Sequence, residues 1–221
     1  MNSNRTSKET EKKRWYMTPP FILMAILGVL VLSLASSPKQ SNRLYIVAID
    51  ISGSTDAMRG DQLHDVTLMR KAALAENAQL EIWYYDQDAC MIYGPKVPSD
   101  SRAVRLAKQK FLIPGTIRKR GTRPEKLVCN LITELTKFPG RDVRMLICTD
   151  GDNDYPADKA LIQQDTAALS KFSACSIAVL GIHKENVALW KSIASLGRSD
   201  SRVFLASGDD DSGHVVGQLL H

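Results

Sequence analysis

The chain has 221 residues, enough for one ordinary domain with an appendage. Hydrophobic residues make up 44% and charged residues 24%, a balance that excludes a largely disordered, collagen-like or coiled-coil protein. Its 29 basic and 24 acidic side chains give a net charge of +5, of which residues 1–37 carry +3, so the high pI says little about nucleic-acid binding by the body.

Residues 1–20 form a polar tail with five cations: Arg5, Lys8, Lys12, Lys13 and Arg14. Phe21 to Ala35 then runs fifteen residues without a charge. A soluble core helix would show polar residues at helical spacing, and this run offers only Ser33, so residues 21–37 are predicted to be a membrane segment. Two forms of it stay open. A cleaved signal peptide suits the small-residue ending Ser33-Leu34-Ala35. A retained single-pass anchor, counted from Trp15 to Ala35, has the roughly 20 residues that a bilayer needs, with aromatic residues at its interface. The long tail ahead of the run favours the anchor. Either form leaves the N-terminus cytoplasmic and the body extracytoplasmic, in a periplasm or at a cell surface, because the cations precede the run. Residues 38–42 are a short polar linker.

The body, residues 43–221, alternates two patterns. Leu44 to Ile49 is a continuous apolar run that suits a strand buried on both faces of a parallel sheet. Leu63, Val66, Met69 and Ala73 then recur at helical spacing within Asp61 to Asn77. Gln79 to Tyr85 and Cys90 to Tyr93 are strand-like. Pro124 to Lys137 is the clearest helix, with Pro124 in the first turn and a stripe of Leu127, Val128, Leu131, Ile132 and Leu135. Val143 to Thr149 is a second buried strand. A helix is predicted over Asp158 to Phe172 and a strand over Ala174 to Ile182. A helix with Leu189, Ile193 and Leu196 inward follows, then a strand over Val203 to Ala206 and a last helix over Val215 to Leu220. The fold class is therefore α/β, doubly wound, with helices on both faces of a mostly parallel sheet. The four cysteines, Cys90, Cys129, Cys148 and Cys175, lack metal-site spacing. Three lie in apolar runs and read as buried small hydrophobes, and no disulfide pair can be nominated.

In such sheets ligands bind beyond the carboxyl ends of the strands. Asp50-Ile51-Ser52-Gly53-Ser54-Thr55 leaves the first strand, and Thr149-Asp150-Gly151-Asp152-Asn153-Asp154 leaves the second buried one. Both are dense in oxygen ligands of the kind a hard divalent cation takes. Asp50, Ser52 and Ser54 alternate, so they can converge on one point, and Asp150 can approach from the neighbouring strand. Either loop alone would read as turn capping or solvated acid. Read as a calcium loop, the second fails, because Tyr155 stands where glycine is required.

Together, Asp50-x-Ser52-x-Ser54 and Thr149-Asp150-Gly151 on apolar strands about a hundred residues apart resemble a von Willebrand factor A (vWA) domain with its metal ion-dependent adhesion site (MIDAS). The resemblance spans residues 43–221. It implies a vWA/Rossmann-like sheet and a metal set of Asp50, Ser52, Ser54, Thr122 and Asp150. Thr122, in Arg120-Gly121-Thr122-Arg123-Pro124, fits the family's loop threonine, with Thr116 as the alternative. The implied cofactor is Mg²⁺, or Mn²⁺ or Ca²⁺. The implied function is divalent-cation-dependent binding of a protein partner that supplies an acidic residue, and not an enzyme activity.

Two other readings stay beside it: a phosphatase-like metal hydrolase on a similar sheet, and a scaffold with a vestigial site. Against the first, the second aspartate of a haloacid-dehalogenase-like site is here Ser52, and no P-loop, GxGxxG or GxSxG is present. Residues 101–126 hold nine cations against one acid, Glu125. This stretch reads either as a solvated loop or as a basic rim beside Thr122. It interleaves no stacking aromatics except Phe111, which argues against nucleic acid.

Overall fold

The computed structural model describes Met24, Ile26, Leu27 and residues 40–111, 121–154, 170–205 and 212–220. Met24, Ile26 and Leu27 are helical and exposed, and the rest of the apolar run at 21–35 lies outside the described residues. Among the described residues no helix is long and apolar enough to cross a membrane. Gln40–His221 forms a compact unit of its own.

Six strands make its sheet: β1 (Arg43–Asp50), β2 (Gln79–Tyr85), β3 (Ala89–Lys96), β4 (Asp142–Cys148), β5 (Cys175–Ile182) and β6 (Arg202–Leu205), in the order β3-β2-β1-β4-β5-β6. All neighbours are parallel except β2 and β3, which form an antiparallel edge. The apolar run of β1 explains its central place, since every residue from Leu44 to Ile49 is buried. The chain winds outward from β1 to β3 and then returns to the other side of β1 to lay down β4. That reversal makes the β1–β4 boundary the topological switch point, where the carboxyl ends of the two strands open a crevice.

Five helices are described: α1 (Arg59–Ala75), α2 (Arg102–Phe111), α3 (Pro124–Leu135), α4 (Val187–Ala194) and α5 (Ser212–Leu220). One apolar layer joins Leu127 and Leu131 of α3 and Trp190 and Ile193 of α4 to Ile46, Met145 and Ile177 of the sheet. On the opposite face Val66 and Met69 of α1, Ala103 and Ala107 of α2 and Val215 of α5 cover Val47, Leu80 and Leu146. The expected two-layered winding is therefore present.

Several expectations need correction. The stretch from Arg102 to Phe111 is a helix, not a solvated loop. Its buried Ala103 and Ala107 are too small to stand out among the exposed Arg102, Arg105 and Lys108. The helix predicted to reach Leu196 ends at Ala194, and Leu196 packs on the core from the loop beyond. Of the helix predicted over 158–172, residues 158–169 lie outside the described part, and Ser170–Ala174 forms a 3-10 turn. None of the four cysteines forms a disulfide among the described residues, and Cys148 and Cys175 are buried. Cys129, expected inside, is exposed because the apolar stripe of α3 runs through Leu127, Val128, Leu131 and Leu135.

Glu81 is a charged residue inside β2, fully buried, with Oε2 accepting a 2.9 Å bond from Trp83 Nε1. Burial pushes its carboxyl up to about 7, although the Trp83 bond works the other way. A group whose folded pKa is raised supports the fold at low pH and withdraws that support as pH rises through the folded value. Glu81→Gln, which retains an acceptor for Trp83, is expected to raise Tm by several degrees at pH 8 and by less at pH 5. A Tm gain equal at both values would show that Glu81 ionisation has no part in stability.

Candidate metal centre

The loop after β1 folds around its own polar side chains. Ser52 N–H donates to Asp50 Oδ1 at 2.9 Å, and Thr55 Oγ1 donates to the carbonyls of Asp50 at 2.9 Å and Ser52 at 3.0 Å. These short-range bonds turn the chain sharply into the 3-10 segment Gly53–Met58. The turn brings Ser52 Oγ and Ser54 Oγ to 3.1 Å from each other. Asp50 and Ser52 are buried and Ser54 is exposed, so the hydroxyl pair runs from the interior to the surface.

The backbone of this loop is held from beneath. Arg59 donates through Nη1 to the Asp50 carbonyl at 2.6 Å and through Nη2 to the Ser52 carbonyl at 2.8 Å. Gln62 Nε2 adds a 3.1 Å bond to the Asp50 carbonyl. Sequence reasoning missed both residues. Their i, i+3 spacing at the head of α1, directly after a loop rich in carbonyls, was the available signal.

The β4 loop meets the β1 loop through Thr149. Its Oγ1 donates to Asp50 Oδ2 at 2.7 Å and accepts from Gly151 N–H at 3.0 Å. Asp150 Oδ1 accepts from Asp152 N–H at 3.1 Å, and the Asp150 carbonyl accepts from His183 N–H at 2.9 Å. Gly151 has φ +91°, and a Cβ there would stand 2.9 Å from Asn186 Cβ, so glycine is required. Trp190 Nε1 closes the loop with a 3.0 Å bond to the Gly151 carbonyl.

Thr122 reaches the same edge from a third loop. Its N–H donates to Asp154 Oδ2 at 2.6 Å, and Asp154 N–H donates back to the Thr122 carbonyl at 3.1 Å. Arg123 N–H bonds the Asp86 carbonyl at 2.9 Å, fixing the other side to the end of β2. Gly121 has φ +82° and leaves no room for a Cβ, which would lie 2.7 Å from Asp154 Oδ2. Asp154 is thus a clamp on the Thr122 loop. Thr116, the alternative, lies outside the described residues. Direct bonds join Asp50, Ser52 and Ser54, while Asp150 follows Thr149 and Thr122 is tied in through Asp154.

The electrostatics are those of a site short of positive charge. Asp50 and Asp150 are both buried, and among the described residues no guanidinium or ammonium group bonds either carboxylate. Burial pushes the Asp50 carboxyl up to about 7, against the bonds from Thr149 and Ser52 and with the charge of Asp150 adding to the rise. Asp150 Oδ2 is buried with no hydrogen-bond partner among the described residues. Such an orphan acceptor is costly unless something else satisfies it. Two carboxylates, two serine hydroxyls and a buried threonine form an all-oxygen donor set of the type hard divalent cations take. The residues present fit a cation of that kind.

No family model matches the sequence, and no curated protein matches it. Solved structures do. The chain is similar to a von Willebrand factor type A protein from Catenulispora acidiphila at 17% identity, with a TM-score of 0.56, over 81% of this chain and 41% of that one. It is similar to an aerotolerance-related membrane protein from Bacteroides fragilis at 17% identity, with a TM-score of 0.53, over 80% of this chain and 98% of that one. A third neighbour is proximal thread matrix protein 1 of the mussel byssus, whose MIDAS motif is occupied by zinc, at 18% identity and a TM-score of 0.50, over 90% of this chain and 51% of that one. The chain therefore has the fold of a von Willebrand factor A domain.

Thr149 joins the two loops through its hydroxyl. Thr149→Val is expected to lower stability at pH 7 by about 1–3 kcal/mol, since it orphans Asp50 Oδ2 and the Gly151 amide. Urea unfolding measures this, and a loss under about 0.5 kcal/mol would mean that solvent replaces the hydroxyl without cost.

Proposed function

We propose that the protein is a membrane-tethered, extracytoplasmic vWA domain that binds a protein partner through a divalent cation held by Asp50, Ser52, Ser54, Thr122 and Asp150. The observation that carries this reading is the buried, unpartnered Asp150 Oδ2 beside the Asp50–Ser52–Ser54 turn. Mg²⁺ is the cation proposed first, with Mn²⁺ and Ca²⁺ as alternatives, and the zinc-occupied motif of the mussel protein supports divalent binding at this place in the fold. A bound cation supplies Lewis-acid attraction for an acidic side chain of the partner. The chain's own residues do the rest. Arg59 and Gln62 hold the carbonyls of the first loop, Thr149 orients Asp50, and Asp154 fixes Thr122.

Binding is proposed rather than turnover, in keeping with the vWA folds of the neighbours. The tether rests on the apolar run after the basic tail. The chain enters the sheet at Arg43, at the end of β1 opposite Asp50. Partner choice is proposed to follow charge. Of the basic rim expected beside Thr122, Arg123 is paired with buried Glu125 at 2.7 Å, while Arg118, Lys119 and Arg120 lie outside the described residues.

Asp50→Ala and Asp150→Ala are each expected to abolish Mn²⁺ binding by the full chain, measured by calorimetry, while the melting transition stays cooperative. Unchanged affinity in both variants would overturn the metal assignment. For the partner, Ser52→Ala is expected to speed dissociation, and reversal of Arg118, Lys119 and Arg120 to slow association with a salt dependence set by screening over about 8 Å. A partner captured equally from membrane extract in Mg²⁺ and in EDTA would show that binding does not use the cation.

A further inference from the structure

The end of the sheet opposite the candidate metal centre carries the reverse charge. A cavity of about 440 Å³ opens there between α4 and β6. Lys191, Arg198 and Arg202 line it together with Ser195, Ser199 and Ser201, and no carboxylate is among its lining residues. Lys191 and Arg202 are exposed, and among the described residues neither has a carboxylate partner.

The floor of this cavity is built. Arg198 N–H donates to the Cys175 carbonyl at 2.7 Å, and Ser201 N–H donates to the Arg198 carbonyl at 3.0 Å. Ser201 Oγ accepts from Ile177 N–H at 3.0 Å, tying the loop to β5. Gly197 is pressed so close that a Cβ would lie 2.7 Å from the Cys175 carbonyl. The loop that presents the cations is thereby fixed to the sheet.

The cavity also lies at the point where the chain enters the domain. Asp142 accepts from Arg43 Nε at 2.7 Å through Oδ2 and from Arg198 Nη2 at 2.5 Å through Oδ1. Burial opposes ionisation of Asp142, but the bonds from Arg198 and Arg43 hold its carboxyl below the usual range. One carboxylate thus sits between two arginines, one on the cavity wall and one at the first residue of β1. The seven residues 36–42 that separate Arg43 from the apolar run reach at most about 25 Å when extended.

We infer that this cavity binds the phosphate of anionic phospholipid headgroups in the membrane that holds the N-terminal segment. Lys191 and Arg202, with the Ser199 hydroxyl, suit a phosphate, which offers negative charge and several acceptor oxygens, while Arg198 is held by Asp142 and Ser195 Oγ donates to the Ser192 carbonyl. No aromatic ring lines the cavity, so a nucleotide base would find nothing to stack on. Cations close to an anionic bilayer surface are drawn to it electrostatically. The inference rests on the proposed tether and does not use the metal centre.

The test uses the full chain in nanodiscs of phosphatidylcholine alone or mixed with phosphatidylglycerol, read by hydrogen exchange. Amides of residues 194–203 are expected to exchange several-fold more slowly in the anionic discs, with residues 50–55 unchanged. Lys191→Glu with Arg202→Glu is expected to abolish this protection and lower Tm only slightly, both residues being exposed and Arg202 giving up its bonds to the Ser199 and Ser201 carbonyls. The milder Lys191→Gln with Arg202→Gln is expected to give partial loss. Inorganic phosphate added to neutral discs is expected to give no protection, and full protection by phosphate alone would assign the cavity to a soluble anion. Equal exchange in both lipids, in a chain that co-floats with vesicles, would overturn the headgroup cavity alone. A chain that fails to co-float would overturn the tether and this inference with it.

Discussion

Two carboxylates, Asp50 and Asp150, are buried beside each other at the ends of adjacent parallel strands, and most of the surrounding architecture answers to that fact. The β1–β4 register sets Ile49 opposite Cys148, which brings the residues that follow into one crevice. Burying like charges together is unfavourable unless they are neutralised or hydrogen-bonded. The bonds supplied by the chain are modest ones, from backbone amides and one hydroxyl. The cationic side chain closest in the network, Arg59, is spent on the backbone carbonyls of Asp50 and Ser52. That division leaves the carbonyls satisfied and one carboxylate oxygen unsatisfied. A fold maximising its own stability would aim the guanidinium at the carboxylates. Among the described residues they have no cationic partner, which on the proposed reading suits the site to an external cation.

The arrangement also explains why three separate loops lean on one another. Asp154 accepts from the Thr122 amide and returns a bond to the Thr122 carbonyl, so the loop before α3 cannot shift without the loop after β4. Trp190 reaches from α4 to the Gly151 carbonyl, and Asn186 reaches Asp152 Oδ1 at 2.8 Å. Side chains that bond the backbone of the candidate ligands and their loops, and not the ligands' side-chain oxygens, thus set their positions, as supporting residues do around many ion sites.

Much of this was legible in the sequence. The buried runs of β1, β4 and β5 announce a parallel sheet, and a parallel sheet dictates which strand ends carry a site. Asp50, Ser52, Ser54 and Asp150 therefore stood out by place as well as by chemistry. What was hidden was hidden for physical reasons. Arg59, Gln62 and Trp190 act through backbone carbonyls, which leave no trace in residue type. Helix α2 buries only alanines at the two positions that define its inner face, so its charges dominate the pattern. Asp154 looked like one more acid in a solvated run, and its role depends on a partner 32 residues away.

The domain is polar from end to end in the plain sense of charge. One end of the sheet gathers buried carboxylates, and the other gathers Arg43, Arg144 and Arg198 around Asp142, with Glu76 pairing Arg43 and Asp200 pairing Arg144. The two ends lie at opposite termini of the same strands, β1 carrying Arg43 at its start and Asp50 at its close. Because the candidate ligands come from three loops, they are brought together only when the sheet has formed. On the proposed reading, cation binding and folding are then linked, and occupancy stabilises the domain by RT ln(1 + [L]/Kd). The orphaned oxygen of Asp150 and the raised carboxyl of Asp50 represent stability withheld from the cation-free state. On that reading the same two groups make the fold's stability responsive to cation binding.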